Sequence, residues 1–164
     1  MLFRSALVNE YLARRYPSED NFRRAFAQYL GLNDWHAIAR MLRLLAEPTH
    51  SALLDQLNQN PDFLAQRAFY QQSIGLLDGA LNDYRHALII KPDALDNQAA
   101  LLWLLLAKHD RPAIEQMLID LREPAEQNSV LWPAFGAAHM QLGRPAQALI
   151  YFRKQAPSNQ HDYL

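Results

Sequence analysis

Apolar side chains recur at intervals of three and four residues along most of the chain, which is the spacing of one face of an α-helix. The stretch VLWPAFGAAHMQLGRPAQALIYF, residues 130–152, has this spacing on both sides of a break at Gly143 and Pro145. Glycine favours the left-handed conformation that ends a helix, and proline is tolerated at the first positions of the next one. The stretch therefore predicts two helices joined by a tight turn.

The same pattern recurs 68 residues earlier, which is twice 34. Gly75 lies at the position of Gly143, Ala80 lies at that of Ala148, and an aromatic side chain follows each alanine by four residues. Small residues are needed where two helices cross closely, and large ones fill the space beside them. A fixed period of this kind predicts an array of helical hairpins.

The rest of the chain divides at similar turn signals. Ser18 or Asp20 is the expected N-cap of one early helix, and Gly31 is its expected stop. In the middle copy Leu102 and Ile114 occupy positions where small residues are usual, so we expect that hairpin to pack wider. About five hairpins are predicted, over residues 2–30, 33–60, 61–92, 95–125 and 129–157.

Residues 61–157 resemble the tetratricopeptide repeat (TPR), whose period is 34 residues and whose signature reads W-x2-L-G-x2-Y…A-x3-F…P. Residues 130–152 supply W-x2-F-G and A-x3-F, and residues 61–92 supply A-x3-Y and the terminal proline. The resemblance implies an all-α fold, a right-handed α-solenoid that forms a single domain over residues 1–164. A further repeat would start near residue 163, so either a partner chain covers the last apolar face or the native protein continues past Leu164, and we expect the second.

The composition supports this fold and limits the classes of partner that we expect. Half of the residues are hydrophobic, whereas valine occurs only at Val8 and Val130, which leaves little β-branched material for a sheet. The net charge of −1 gives no basic field, so we expect no nucleic-acid partner. The longest strongly apolar run, residues 99–107, is too short to span a bilayer, and we expect no membrane insertion of this segment.

Motifs for catalysis, cofactors and metals are missing from the sequence. The chain has no cysteine, which excludes disulfides and thiolate zinc sites, and it has no glycine-rich phosphate loop. The histidines lie one per segment without the spacing that holds a metal. We therefore expect a non-catalytic protein with no catalytic residue, cofactor or metal. The histidines are His36, His50, His86, His109, His139 and His161.

The TPR resemblance implies that the first helix of each hairpin lines an inner, concave surface that takes up a partner. Carried over to this chain, the family's inner positions predict an unusually apolar surface, which is typical of a protein interface. The lysines and asparagines with which some TPR proteins clamp a carboxylate are absent, and Ala65 and Ala99 stand at two of those positions. The predicted partner-binding residues are Phe69, Gln72, Trp103, Leu106, Met140 and Gln141.

Residues from about 90 to 164, with the runs NQAALLWLLLAKHDRPAIEQMLIDL and LWPAFGAAHMQLGRPAQALIYFRKQ, also resemble the periplasmic TPR region of Pel exopolysaccharide export proteins. This resemblance implies a periplasmic scaffold that docks a polysaccharide-modifying enzyme and guides polymer toward an outer-membrane pore. Two alternatives stay open. One is a cytoplasmic adaptor that binds a peptide or helix in an apolar groove. The other is a carbohydrate-binding module in which Phe69, Trp103 and Trp132 stack on sugars, although the repeat gives Trp132 a packing position.

Overall fold

The computed structural model of the chain describes residues 2–155, and every regular element in that range is helical. This confirms the predicted all-α class. His161 and the predicted end of the last hairpin lie outside the described residues. The α-helices are α1 (Leu2–Arg15), α2 (Glu19–Gly31), α3 (Trp35–Leu45), α4 (Ser51–Leu57), α5 (Pro61–Ser73), α6 (Leu77–Ile90), α7 (Leu95–Ala107), α8 (Arg111–Asp120), α9 (Arg122–Gln127), α10 (Trp132–Gln141) and α11 (Pro145–Gln155), and a 3-10 helix (Pro48–His50) precedes α4.

The helices gather into two compact units, Met1–Pro92 and Asp93–Leu164. The first unit contains α1 to α6, and the second contains α7 to α11. The prediction that residues 1–164 form a single continuous solenoid stays a prediction.

Four interhelical turns share one backbone geometry. A residue with positive φ follows the first helix: Gly75 (+81°), Gly143 (+74°), and also Asn33 (+53°) and His109 (+54°). In each turn the next N–H donates to the carbonyl five residues back, for example Leu76 N to Gln71 O at 2.8 Å. This bond closes the helix end in the manner of a Schellman cap. The two predicted glycine turns are therefore present, and two further turns of the same kind use asparagine and histidine.

Two buried positions in each of these hairpins account for how closely its helices approach. They lie seven residues before and five residues after the left-handed residue. In α5–α6 and α10–α11 both positions hold small residues, and the two helices run close together along much of their length. In α2–α3 and α7–α8 both positions hold large residues, which keep the helices further apart. The wider packing predicted for the middle hairpin is thus observed. The pairs are Ala68/Ala80, Gly136/Ala148, Leu102/Ile114 and Phe26/Ile38.

The pairing of the early helices differs from the one predicted over residues 2–30 and 33–60. Helix α1 packs along α2, but α2 also forms a repeat-type hairpin with α3 through the turn at Asn33. Helix α2 contacts α5, as α7 contacts α10 in the second unit, so α2 is the first helix of its hairpin. Ser18 is its N-cap, and the helix ends at Gly31 as predicted. The left-handed turn residue, however, is Asn33.

A buried carboxylate joins three helices of the first unit. Arg40 of α3 donates to Glu10 of α1 through Nε (3.1 Å) and Nη2 (2.8 Å), and Arg14 adds a bond of 2.7 Å. Tyr29 of α2 donates its hydroxyl to the same carboxylate. The Arg40 guanidinium, helped by Tyr29 and Arg14 and opposed by burial, lowers the pKa of Glu10 to about 2. Glu10 is therefore ionised in the folded protein at neutral pH.

A second polar network closes the α5–α6 hairpin. Arg67 of α5 donates to both oxygens of Asp83 of α6, at 2.6 and 2.7 Å, and its third bond, of 3.0 Å, reaches Asn58. Gln71 also donates to Asp83, at 3.0 Å. The guanidinium carbon lies 5.4 Å from the ring centre of Phe63. This arrangement satisfies a carboxylate that is 7% exposed.

Candidate functional site

In the first unit the predicted partner-binding residues lie on α5. The helix begins after Asn60, whose side-chain oxygen accepts from Asp62 N (3.0 Å) and Phe63 N (3.1 Å). This cap fixes the start of the helix and hence the direction of its side chains. Phe69 is 52% exposed, and Gln72 is partly buried one turn further on. Phe69 therefore offers a large apolar side chain to solvent.

A cleft of about 310 Å³ lies beside this surface, between α5 and α2. Asp62 and Gln66 of α5 line it, and they share a helix face with Phe69 because the three are spaced four and three residues apart. Arg23 and Arg24 of α2 form the opposite wall. Each of these arginines pairs with Asp20 of its own helix, at 3.4 and 2.6 Å.

Sequence patterns did not predict that Arg23 and Arg24 form a wall of this cleft. If α2 is taken to be the second helix of a hairpin, its arginines look like part of an ordinary solvated helix surface. The contact of α2 with α5 brings Arg23 and Arg24 next to Asp62. The residue that could have indicated the correct pairing of α2 with α3 is Asp34. Its side chain accepts from Ala37 N at 2.9 Å and marks the start of α3 immediately after the turn.

In the second unit the predicted surface is only partly exposed. Trp103 of α7 is 43% exposed and Met140 of α10 is 53% exposed. Leu106, by contrast, is 6% exposed, and its assignment to a partner-binding surface is wrong. Helix α7 carries the run LLWLLLA, which is apolar on every side, so helices pack against more than one of its faces. Leu106 belongs to the core.

Gln141 has a structural role in this unit. Its amide nitrogen donates to the Leu106 carbonyl at 3.2 Å and lies 3.0 Å from His109 Nδ1. These contacts fasten the end of α10 to the end of α7 and to its turn. They leave Trp103 and Met140 as large exposed apolar side chains on two helices that touch.

Trp132 is engaged within the second unit. Its indole N–H donates to the Ala125 carbonyl at 2.8 Å, which holds α9 against α10. Lys154 Nζ lies 5.6 Å from the centre of the indole ring. The ring is partly buried and has a cation over one face, which occupies a face that stacking on a sugar would use. Trp132 thus does not fit the carbohydrate-stacking alternative.

Residues 2–155 contain no group of three or more histidines and carboxylates that could hold a metal ion. Within the same range, no helix has both the length and the apolar character needed to cross a membrane.

The sequence matches the family model of the tetratricopeptide repeat over residues 4–164. The chain belongs to the TPR family. The crystal structure of MamA is similar, with a TM-score of 0.69 and 13% sequence identity over 93% of this chain and 85% of that chain. At this identity the similarity concerns the fold alone. No curated protein matches the chain at a significant level.

These comparisons confirm the α-solenoid class of this TPR protein. TPR repeats generally mediate protein–protein interactions in scaffolds. Two exposed surfaces, one in each unit, are therefore the candidate partner-binding sites: the α5 surface, with Phe69, Asp62 and the cleft toward α2, and the α10 surface, with Trp103 and Met140.

Proposed function

We propose that this TPR protein is a non-catalytic scaffold that binds a protein partner through the α5 surface and the α10 surface. The observation that carries the proposal is the exposure of Phe69, Trp103 and Met140 on first helices of their hairpins. Burying a large apolar side chain contributes about 1.5–3 kcal/mol, and aromatic side chains at the centre of an interface are frequent hot spots. A partner that covers these side chains gains that contribution.

We further propose that the scaffold is a periplasmic part of an exopolysaccharide export machine of the Pel type, in which it docks a polysaccharide-modifying enzyme. This finer proposal rests on the resemblance of residues 90–164 to the TPR region of Pel export proteins. The absence of cysteine agrees with an oxidising compartment, where an unpaired thiol would be a liability.

Affinity capture tests both levels of the proposal. The tagged chain is incubated separately with periplasmic and cytoplasmic extracts of the source cells, beside Phe69→Ala and the double variant Trp103→Ala/Met140→Ala. Ile89→Ala and Ile119→Ala are matched controls, since both are exposed isoleucines outside the two surfaces. We expect a periplasmic polysaccharide-modifying enzyme to be retained by the wild type and by the controls, and lost from the surface variants.

Two results would redirect the proposal. Retention of a cytoplasmic protein that depends on the same side chains would support the scaffold and refute the export role. Equal retention by surface variants and controls would refute the two surfaces.

Exposed Trp103 also favours a second candidate, direct binding of carbohydrate, because an accessible indole stacks on sugar rings. Calorimetric titration with oligosaccharides would then give saturable heat that Trp103→Ala abolishes. A flat titration would eliminate this candidate.

A further inference from the structure

A larger cleft, of about 590 Å³, lies within the second unit between α8–α9, α10 and α11. None of its lining residues belongs to the α5 or α10 surface. The cleft lies where the second helix of the middle hairpin is interrupted. Helix α8 ends at Asp120 and α9 begins at Arg122, and Pro124 lacks the N–H that a continuous helix would need.

The floor of the cleft is aromatic and uncharged. The rings of His139 and Tyr151 are nearly parallel, at 11°, with their centres 5.7 Å apart, and Phe135 packs against Tyr151 at 5.1 Å. Burial and the nearby Arg144 lower the pKa of His139, so its imidazole is neutral at neutral pH. Such a floor suits an apolar side chain.

The rim carries two cations and one carboxylate, from Arg122, Lys154 and Glu126. Lys154 Nζ lies 5.4 Å from the ring centre of Tyr151 and 3.4 Å from the Glu126 backbone carbonyl, so the ammonium is held over the floor. Among the described residues neither Arg122 nor Lys154 forms an ion pair with a carboxylate. Two cations without a carboxylate partner therefore flank an apolar floor.

We propose that this cleft binds an acidic segment of a partner protein, whose apolar side chain enters the aromatic floor while adjacent carboxylates meet Arg122 and Lys154. Its volume is within the range of about 300–1,000 Å³ that is typical of ligand pockets. It therefore suits a short peptide segment. The net rim charge of +1 selects an anionic segment over a cationic one. This site goes beyond the proposed function, because it uses neither Phe69 nor Trp103 and Met140.

The test is a titration of ¹⁵N-labelled full chain, followed by NMR, with two blocked hexapeptides. One peptide contains two aspartates and two leucines, and the other has asparagines in place of the aspartates. The reporter is the indole N–H of Trp132, because Lys154 lies over that ring. We expect saturable shifts with the acidic peptide and binding at least about threefold weaker with the amide peptide.

The variants Arg122→Gln and Lys154→Gln should each weaken binding of the acidic peptide by about three- to tenfold. Arg153→Gln is the matched control, since it removes the same charge from the same helix outside the cleft lining, and it should leave the affinity unchanged. Equal binding of the two peptides, absence of saturation, or equal weakening by Arg153→Gln and Lys154→Gln would overturn the proposal. Phe69→Ala and Trp103→Ala should not alter this titration, so its outcome is independent of the scaffold surfaces.

Discussion

Gly136 of α10 has no room for a side chain, and this makes it a sharp test of the close hairpin α10–α11. A Cβ built on its backbone would lie 2.3 Å from Cε1, 2.7 Å from Cδ1 and 2.8 Å from Cζ of the Phe152 ring. Real contacts of this kind are longer than 3.0 Å, so the ring must move in Gly136→Ala.

Two opposing contributions decide the size of the effect. Alanine is about 1 kcal/mol more favourable than glycine in a helix interior. Overpacking costs about 1–3 kcal/mol, and the ring of Phe152, which is 40% exposed, can relieve part of it by swinging outward and losing burial. We expect Gly136→Ala to lower the free energy of unfolding by about 1 kcal/mol.

The same substitution is also made in the Phe152→Ala variant, which lacks the obstructing ring. There, Gly136→Ala should raise the free energy of unfolding by about 0.5–1 kcal/mol, because only helix propensity remains. The coupling between the two positions should thus be about 1.5–2 kcal/mol, within the range seen for residues in contact. Urea unfolding followed by far-UV circular dichroism measures all four proteins.

Gly31→Ala is the control. Gly31 is also helical, a methyl group added to it would have no atom within 4 Å, and its φ is not positive, so alanine should be neutral or stabilising there. If Gly136→Ala stabilised the chain as Gly31→Ala does, the steric argument for the small pair Gly136/Ala148 would be refuted.

Three further perturbations test other parts of the structure. Gly75→Ala and Gly143→Ala should each lower the free energy of unfolding by about 1–2 kcal/mol, because alanine is strained at positive φ, and urea unfolding will show whether they do. Glu10→Gln should lower the free energy of unfolding by about 2 kcal/mol at neutral pH. This value is smaller than the pKa shift of Glu10 alone would give, because Arg14 and Arg40 are exposed and solvent screens their charges. Because the folded-state pKa of Glu10 is lowered from 4.5 to about 2, this cost should vanish as pH falls through that interval; a cost that persists in acid would contradict it. Arg67→Ala should cost about 3–5 kcal/mol by leaving the buried Asp83 carboxylate without a cation and with only the Gln71 hydrogen bond, whereas Arg24→Ala, from an exposed pair, should stay below about 1 kcal/mol; equal costs in thermal unfolding would refute this contrast.

The repeat period made the later hairpins predictable because glycine, alanine and proline mark their turns and crossings. The early hairpin α2–α3 was not predicted in this way, because its left-handed turn residue is Asn33 and not a glycine. His109 does the same in the middle hairpin, yet there the period of 34 residues from Gly75 located the turn. Asparagine is the residue that tolerates this conformation best after glycine, so a search that admits asparagine before an aspartate N-cap would find Asn33.

Burial within α7 could not be predicted from periodicity. When every residue of a run is apolar, as in residues 101–107, no face of the helix stands out as the core face. The family's inner positions then assigned both Trp103 and Leu106 to the surface, and the structure buries Leu106. The cleft beside α9 could not be predicted from the sequence either, because its position depends on the direction that the chain takes after the break between α8 and α9.

The corrected role of α2 changes what a partner of the first unit would meet. If α2 were a second helix, Phe69 would be an isolated apolar side chain on α5. Since α2 is a first helix in contact with α5, Arg23 and Arg24 stand across a cleft from Asp62, on the same face as Phe69. In the second unit the equivalent pair, α7 and α10, presents Trp103 and Met140, and Gln141 is occupied in holding the two helices together. Apolar burial is therefore expected to dominate binding at the α10 surface, whereas charges set specificity at the α5 surface. Raising the salt concentration should accordingly weaken capture through α5 more than capture through α10.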